Sequence, residues 1–170
     1  RDVVCTFPSA MQVLASANKK FDEKGLLSDL IFPQTTSGEQ SRQGQEAPLR
    51  KTQNAQPAIG AISLAMHDAL QEFDVIPDAT CGHSFGELTA LCAAGWIDRD
   101  TLLELAIKRG RLMAEAGGNQ NPAGGAMLAV QAPLEDLEDL LKKFSPEVVL
   151  ANRNSPGQGV LSGSTAAIVE

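Results

Sequence analysis

Six residues, Gly82-His83-Ser84-Phe85-Gly86-Glu87, constrain the fold of this chain more than any other feature. A short run over 78–81 precedes them and predicts a strand, and a helical pattern follows them. Strand, Gly-x-Ser-x-Gly and helix together are the sequence form of a nucleophile elbow, a turn too sharp for bulky residues two positions before or after the serine. Gly82 and Gly86 meet that requirement, because glycine adopts backbone angles that other residues avoid.

The elbow predicts which groups carry the chemistry. Ser84 would stand exposed at the carboxyl end of a strand and act as a nucleophile. The backbone N–H of Phe85 would lie at a helix N-terminus, where it can stabilise a developing oxyanion. The alternative is a tight β-to-α turn without chemistry, in which the Ser84 hydroxyl only caps the helix. The strand-then-helix context favours the elbow.

Composition bounds the class of protein. The chain has 170 residues, 43% of them hydrophobic, enough for one domain or part of a larger one. A net charge of −7 argues against a nucleic-acid partner. No segment approaches the ~18 consecutive apolar residues of a membrane span. Three cysteines without metal-ligand or redox spacing predict a reducing compartment, so we expect a cytoplasmic protein with no bound metal.

Residues 1–121 alternate helical patterns with the elbow. Helices are predicted from Pro8 to about Gly25, from Pro57 to Phe73 and from Asp98 to Ala116. Residues 33–51 are polar and are predicted to form a long surface loop. The apolar face of the middle helix is predicted to comprise Ile59, Ile62, Met66, Ala69, Leu70 and Phe73.

Residues 122–170 have a different pattern, in the order β-α-β-β-α, which is most of a ferredoxin-like unit. We expect a subdomain boundary between Gly117 and Gly124. The predicted elements are strands at 126–130, 148–150 and 159–162, a helix from Pro133, a turn at 154–157 and a last helix capped by Ser164.

Arg109 lies in the middle of the apolar side of its helix, between Leu105 and Met113. A guanidinium keeps its charge when buried, so it requires an anion. That anion could be an internal carboxylate or the carboxylate of a substrate, held by two parallel hydrogen bonds. Spacing alone favours the internal partner, because buried charges are usually paired within the protein.

Four segments, in the same order, resemble the malonyl-CoA:acyl carrier protein acyltransferase family. Residues 82–87 resemble its Gly-His-Ser-x-Gly-Glu motif, and Arg109 follows the serine by 25 positions, where the family has a carboxylate-binding arginine. Residues 52–58 resemble its Gln-Pro-Ala segment, whose glutamine lines the active site. Residues 154–158 resemble a turn of its small subdomain. Together these matches reverse the preference for an internal partner of Arg109.

The resemblance implies a fold and a reaction. The fold is α/β, a hydrolase-like core with parallel strands (1–121) plus an inserted ferredoxin-like subdomain (122–170), both incomplete in this chain. Ser84 would take a malonyl or related dicarboxylic acyl group from coenzyme A and pass it to the phosphopantetheine thiol of an acyl carrier protein. No cofactor would be bound permanently. The substrate-binding residues would be Arg109, Gln56, His83 and Asn154.

Two departures from the family pattern accompany the matches. The family opens with a Gly-Gln-Gly-Ser-Gln strand and turn that supplies a second oxyanion donor, and nothing like it precedes Arg1. The family's catalytic histidine lies downstream of the turn at 154–157, and the chain reaches only Glu170. His67 reads as an ordinary boundary residue. We therefore expect residues 1–170 alone to transfer weakly, as part of a larger multidomain synthase.

Two other classes of function share some of these features. An α/β-hydrolase-type esterase or thioesterase also contains Gly-x-Ser-x-Gly, but it requires an acid and then a histidine after the serine, and no histidine follows Ser84. A non-catalytic fragment of a synthase could instead dock an acidic carrier protein through lysines. Such lysine pairs usually belong to solvated faces; they are Lys19, Lys20 and Lys24, and Lys142 and Lys143.

Overall fold

The computed structural model describes residues 1–21, 25–34, 39–116, 125–143 and 147–169, and for 39–42 it describes the backbone alone. The chain divides into two compact units, Arg1–Glu115 and Ala116–Glu170. No helix in these ranges has the length and apolar character that crossing a bilayer requires. The predicted boundary after residue 121 falls in 117–124, outside the described residues, so it stays a prediction.

In its described residues, the first unit contains helices without a sheet. They are α1 (Asp2–Thr6), α2 (Pro8–Lys20), α3 (Leu27–Ile31), α4 (Glu39–Arg50), α5 (Thr52–Gln71), α6 (Gly86–Ala93) and α7 (Arg99–Ala116). Pro8 occupies the first position of α2, as predicted, because its fixed φ suits a first turn and its missing N–H is not needed there. Helix α2 packs against α5, and leucines of α7 complete the core.

Helix α5 buries its small residues rather than the large ones that were predicted to face the core. It begins at Thr52, five residues earlier than predicted, and carries Pro57 inside. The exposed fractions of Ile59, Met66 and Phe73 are 51%, 55% and 67%. Small side chains let neighbouring helices approach closely, and the buried ones are Ala58, Gly60, Ala61, Ala65 and Ala69.

The prediction of a long loop over 33–51 is wrong for most of that segment, because Glu39–Arg50 is helix α4. Glutamate, glutamine and arginine have high intrinsic helix propensity, which a reading for polarity alone overlooks. Arg50 Nη2 also donates to Glu46 Oε2 at 2.8 Å, a pair one helical turn apart. Helix α4 lies against α5 and so flanks the start of that helix.

The predicted strand over 78–81 is absent, and the described residues contain no parallel strand pair. Residues 75–82 instead run as irregular backbone from α5 to the serine turn. A strand exists through its ladder of hydrogen bonds, and the described part of the first unit offers no neighbouring strand. Cys81, predicted to be a core residue, is accordingly exposed.

The second unit is a three-stranded antiparallel sheet with two helices, in the predicted β-α-β-β-α order. Its elements are β1 (Gly125–Val130), α8 (Leu134–Leu141), β2 (Val148–Ser155), β3 (Gln158–Ser164) and α9 (Thr165–Val169). The sheet order is β1-β3-β2, with Leu128 and Leu150 both opposite Leu161. The Ser164 hydroxyl accepts the N–H of Ala167 at 3.2 Å and caps α9 as predicted. The chain as a whole is α/β.

Candidate active site

The backbone turn at Ser84 has the geometry of an elbow. Ser84 has a φ of +55°, which L-residues rarely adopt, and its side chain is exposed. Gly86 N donates to His83 O at 2.9 Å and Glu87 N to Ser84 O at 3.2 Å, closing the turn onto α6. A Cβ at Gly82 would lie 2.0 Å from Gly86 O, whereas one at Gly86 would meet no described atom within 4 Å. Crowding therefore explains Gly82 but not Gly86.

Phe85 anchors this turn in the core of the first unit. Its side chain is 6% exposed and joins the buried cluster. A Cβ on Gly60 of α5 would lie 3.1 Å from Phe85 Cζ and 3.6 Å from Ala106 Cβ. The ring thus occupies the space that the missing side chain of Gly60 leaves between α5 and α7. Among the described residues, no backbone carbonyl accepts the N–H of Phe85, so that donor is available.

Arg109 reaches the serine from α7. Its Nη2 lies 3.4 Å from Ser84 Oγ, and its Nη1 donates to Gln56 Oε1 at 2.7 Å. Within the described ranges no carboxylate lies close enough to form an ion pair with Arg109. Ser84 and Gln56 are both neutral, so the cation has hydrogen bonds but no counterion there.

Gln56 is buried between the two helices and hydrogen-bonded at both ends of its amide. It is 5% exposed. While Oε1 accepts from Arg109, Nε2 donates to Met113 Sδ at 3.0 Å. Because Arg109 can only donate, the oxygen of the amide must face the guanidinium. Arg109 and Met113 are four residues apart on α7 and lie on the same face of it.

Helices α5 and α7 come closest beside this cluster, at Gly110. A Cβ there would lie 3.0 Å from Gln53 Cα and from Thr52 O, both backbone atoms. Glycine is therefore what allows the two helices to approach at this level. The approach brings Gln56 of α5 within hydrogen-bonding distance of Arg109 on α7.

Helix α7 is capped at its start, as predicted from Asp98. Thr101 N donates to Asp98 Oδ1 at 2.7 Å. This backbone hydrogen bond is the main reason that the pKa of the Asp98 carboxyl lies below its ordinary value. The cap sets where the helix begins and hence the helical turn on which Arg109 falls.

The structure thus brings together three of the predicted site residues, Ser84, Arg109 and Gln56, together with the backbone of Phe85. His83 is exposed and engaged in an interaction of its own, so its assignment to substrate binding stays a prediction. Asn154 belongs to the second unit, where its Nδ2 donates to Gln158 Oε1 at 3.2 Å, and its role also stays a prediction.

The lysines of the docking alternative are engaged within the chain where the structure describes their side-chain contacts. Lys20 Nζ pairs with Asp100 and Glu104 at 3.6 and 2.7 Å, and these partners raise its pKa. Lys142 Nζ pairs with Asp139 at 2.8 Å, which raises its pKa as well. Lys24 lies outside the described residues. These pairs reduce the positive surface that could attract an acidic partner.

Sequence reasoning missed three residues that shape the site: Gly60, Gly110 and Met113. The two glycines sit inside helices, where glycine is unfavourable, and that cost is a usable signal of close packing. Met113 was assigned only to the apolar face of α7. Its spacing of four from Arg109 carries no sign of an acceptor role, because methionine on such a face is usually core.

Comparison with known proteins agrees with this geometry. The family model described as "Acyl transferase domain" matches residues 7–170. The chain is 34% identical over 170 residues to a polyunsaturated fatty acid synthase polypeptide of Thraustochytrium, covering 99% of this chain and 6% of that protein. It is 37% identical over 166 residues to the malonyl CoA-acyl carrier protein transacylase of Bacillus subtilis, covering 95% of this chain and 47% of that protein.

Solved structures resemble the chain over almost its whole length. One chain of a complex between a type II polyketide synthase acyl-carrier protein and its malonyl-transacylase matches with a TM-score of 0.78 and 31% identity. The match covers 99% of this chain and 51% of that one. This chain therefore spans about half the length of the transacylases that it matches, and a much smaller share of the synthase.

Proposed function

The chain belongs to the acyl transferase domain family, and on that premise we propose that it carries the acyl-binding half of a malonyl-CoA:acyl carrier protein transfer reaction. The substrate would be malonyl-CoA or a related dicarboxylic thioester. The acceptor would be the phosphopantetheine thiol of an acyl carrier protein in fatty acid or polyketide synthesis. The name of the Bacillus subtilis relative and the carrier-protein complex among the similar structures support both assignments.

One observation carries this proposal: a guanidinium without a counterion lies beside an exposed serine hydroxyl. Arg109 Nη2 and Ser84 Oγ are 3.4 Å apart, and no described carboxylate pairs with Arg109. A malonyl group has a thioester carbon and a free carboxylate separated by one methylene. Such a substrate could place its carbonyl at Ser84 while its carboxylate engages Arg109.

The proposed chemistry is two acyl transfers through a serine ester. Ser84 Oγ bonds to the thioester carbon, the carbon–sulfur bond breaks, and coenzyme A leaves as the thiol with the serine's proton. The phosphopantetheine thiol then attacks the ester, and the proton returns to Ser84. The N–H of Phe85 is placed to donate to the oxyanion of each tetrahedral intermediate. The resemblance assigns the general base to a histidine downstream of Asn154.

The fold supports a finer assignment of the two units. We propose that Arg1–Glu115 is part of a hydrolase-like core whose strands pair with segments beyond those described. We further propose that the second unit is the ferredoxin-like subdomain of the family. Its antiparallel order β1-β3-β2, with α8 between the two outer strands in sequence, is the order of a split β-α-β unit.

The test is covalent loading of the full-length gene product, followed by intact mass spectrometry. Malonyl-CoA and acetyl-CoA are supplied separately, and holo acyl carrier protein is then added. We expect a malonyl adduct on the wild type that moves to the carrier protein, and no adduct on Ser84→Ala. Arg109→Ala should lower the preference for malonyl over acetyl about 10- to 100-fold, because hydrogen bonds to a charged group are lost.

Lys108→Ala is the matched control for Arg109→Ala, because it removes a neighbouring exposed cation of the same helix. It should leave the preference unchanged. An adduct that forms equally on Ser84→Ala would refute the nucleophile. Rapid hydrolysis of simple esters without transfer to the carrier protein would indicate an esterase instead.

A further inference from the structure

Met113 is the least expected participant at this site, and its contact is specific. Its Sδ lies 3.0 Å from Nε2 of Gln56, the residue whose Oε1 accepts from Arg109. We propose that Met113 is a positioning residue: it selects the amide orientation of Gln56 that holds Arg109 in place to receive a substrate carboxylate. This inference rests on the proposed function and names a determinant of its specificity.

The argument begins with the two orientations of a buried amide. Gln56 is 5% exposed, so both ends of its amide need partners within the protein. In the observed orientation the oxygen meets a donor and the NH₂ meets an acceptor. Rotation by 180° would set the NH₂ against the guanidinium, donor facing donor, and leave the oxygen against a thioether that cannot donate.

The thioether matters because it is an acceptor at a position where a hydrocarbon would offer none. Sulfur in methionine accepts weakly, but a buried NH₂ without any partner is destabilised by about 1–3 kcal/mol. Without Met113 Sδ, Gln56 would gain by turning toward other acceptors. Arg109 would then lose the neutral oxygen that fixes its Nη1.

The surroundings leave the cluster little freedom to adjust in any other way. Gly110 lies between Arg109 and Met113, where α5 and α7 are so close that a Cβ would lie 3.0 Å from backbone. Met113 itself is 48% exposed, so its side chain contributes little to the core. Its role can therefore be separated from packing by substitution.

The test is Met113→Leu in the full-length gene product, which keeps the volume and removes the acceptor. Acylation by malonyl-CoA and by acetyl-CoA is timed by intact mass. The KM for malonyl-CoA should rise about fivefold at unchanged kcat, since the carboxylate contact is remote from the reacting carbon. Acetyl-CoA lacks that carboxylate, so its kinetics should change less than about twofold.

Met66→Leu is the matched control, because Met66 is similarly exposed at 55% and lies on α5. It should match the wild type. In an Arg109→Ala background, Met113→Leu should cause no further loss of malonyl preference, because the residue that it positions is gone. Thermal melting of each variant accompanies the kinetics.

The outcomes separate this inference from the proposed function. Equal losses for malonyl and acetyl, additivity with Arg109→Ala, an unchanged Met113→Leu, or a failure of Met113→Leu to fold would each overturn the positioning role. A wild type that loads no malonyl group, or a Ser84→Ala variant that still loads one, would overturn the proposed function itself. A wild type that loads malonyl, with an unchanged Met113→Leu, leaves the proposed function intact.

Discussion

The close approach of α5 and α7 can be tested with two glycine-to-alanine substitutions that differ only in the space around them. Gly110 lies in α7 beside Arg109, and an added Cβ would lie 3.0 Å from Gln53 Cα and Thr52 O. Gly44 lies in α4, and a Cβ there would meet nothing within 4 Å. Both substitutions bring the same gain in helix propensity, so Gly44→Ala is the matched control.

The magnitudes follow from two opposing terms. Alanine in place of glycine inside a helix stabilises by about 0.5–1 kcal/mol, and Gly44→Ala should show this gain in full. At Gly110 the neighbours are backbone atoms, which cannot rotate away as a side-chain tip can. Overpacking of this kind destabilises by about 1–3 kcal/mol, so Gly110→Ala should range from neutral to about 2 kcal/mol less stable than the wild type.

Urea unfolding measures both variants, with the comparison made between midpoints at equal m values. We expect Gly110→Ala to unfold at lower urea than Gly44→Ala by an amount worth about 1–3 kcal/mol. Separation of the helices should also move Gln56 away from Arg109, so malonyl preference should fall in Gly110→Ala only. Equal midpoints for the two variants would refute the claim that the helices touch at Gly110.

Two further predictions concern the serine turn and the start of α7. Gly82→Ala should slow Ser84 acylation about 100-fold or more, because its Cβ would lie 2.0 Å from Gly86 O and must displace the turn. Intact-mass kinetics measure this, and Gly86→Ala, whose Cβ meets open space, should lose far less; similar losses would contradict the steric explanation. Asp98→Ala should melt below the wild type at neutral pH. The folded pKa of Asp98 is lowered by the Thr101 N–H, so the wild-type advantage should vanish as acid below about pH 4 protonates the carboxylate. Melting curves from pH 7 to about pH 2 test this, and an advantage that persists at the acid end would disprove the cap's role.

Local motifs could be predicted from sequence because their geometry depends on adjacent residues. The Gly-x-Ser-x-Gly pattern anticipated the positive φ of Ser84, and Asp98 and Ser164 cap the helices that follow them. Alternation and turn residues also predicted the β-α-β-β-α order of the second unit. Each of these signals is complete within a few residues.

Features that depend on distant neighbours were predicted less well. The strand over 78–81 requires a partner strand, and none lies beside it among the described residues. The face that α5 buries was misjudged, because hydrophobicity favoured Ile59 and Met66 while the helix contacts use alanines and glycine. A size pattern has no meaning until the neighbouring helix is known.

The sequence by itself determined the reactive groups: a serine in a glycine turn, an arginine on an apolar helix face and a glutamine before a proline. Only the tertiary structure decided that the three meet, with Arg109 within 3.4 Å of Ser84 and 2.7 Å of Gln56. The physical reason is that Gly60 and Gly110 let α5, α7 and the Phe85 ring approach closely. That approach also recruits Met113 Sδ as an acceptor, a role that its position in the sequence does not reveal.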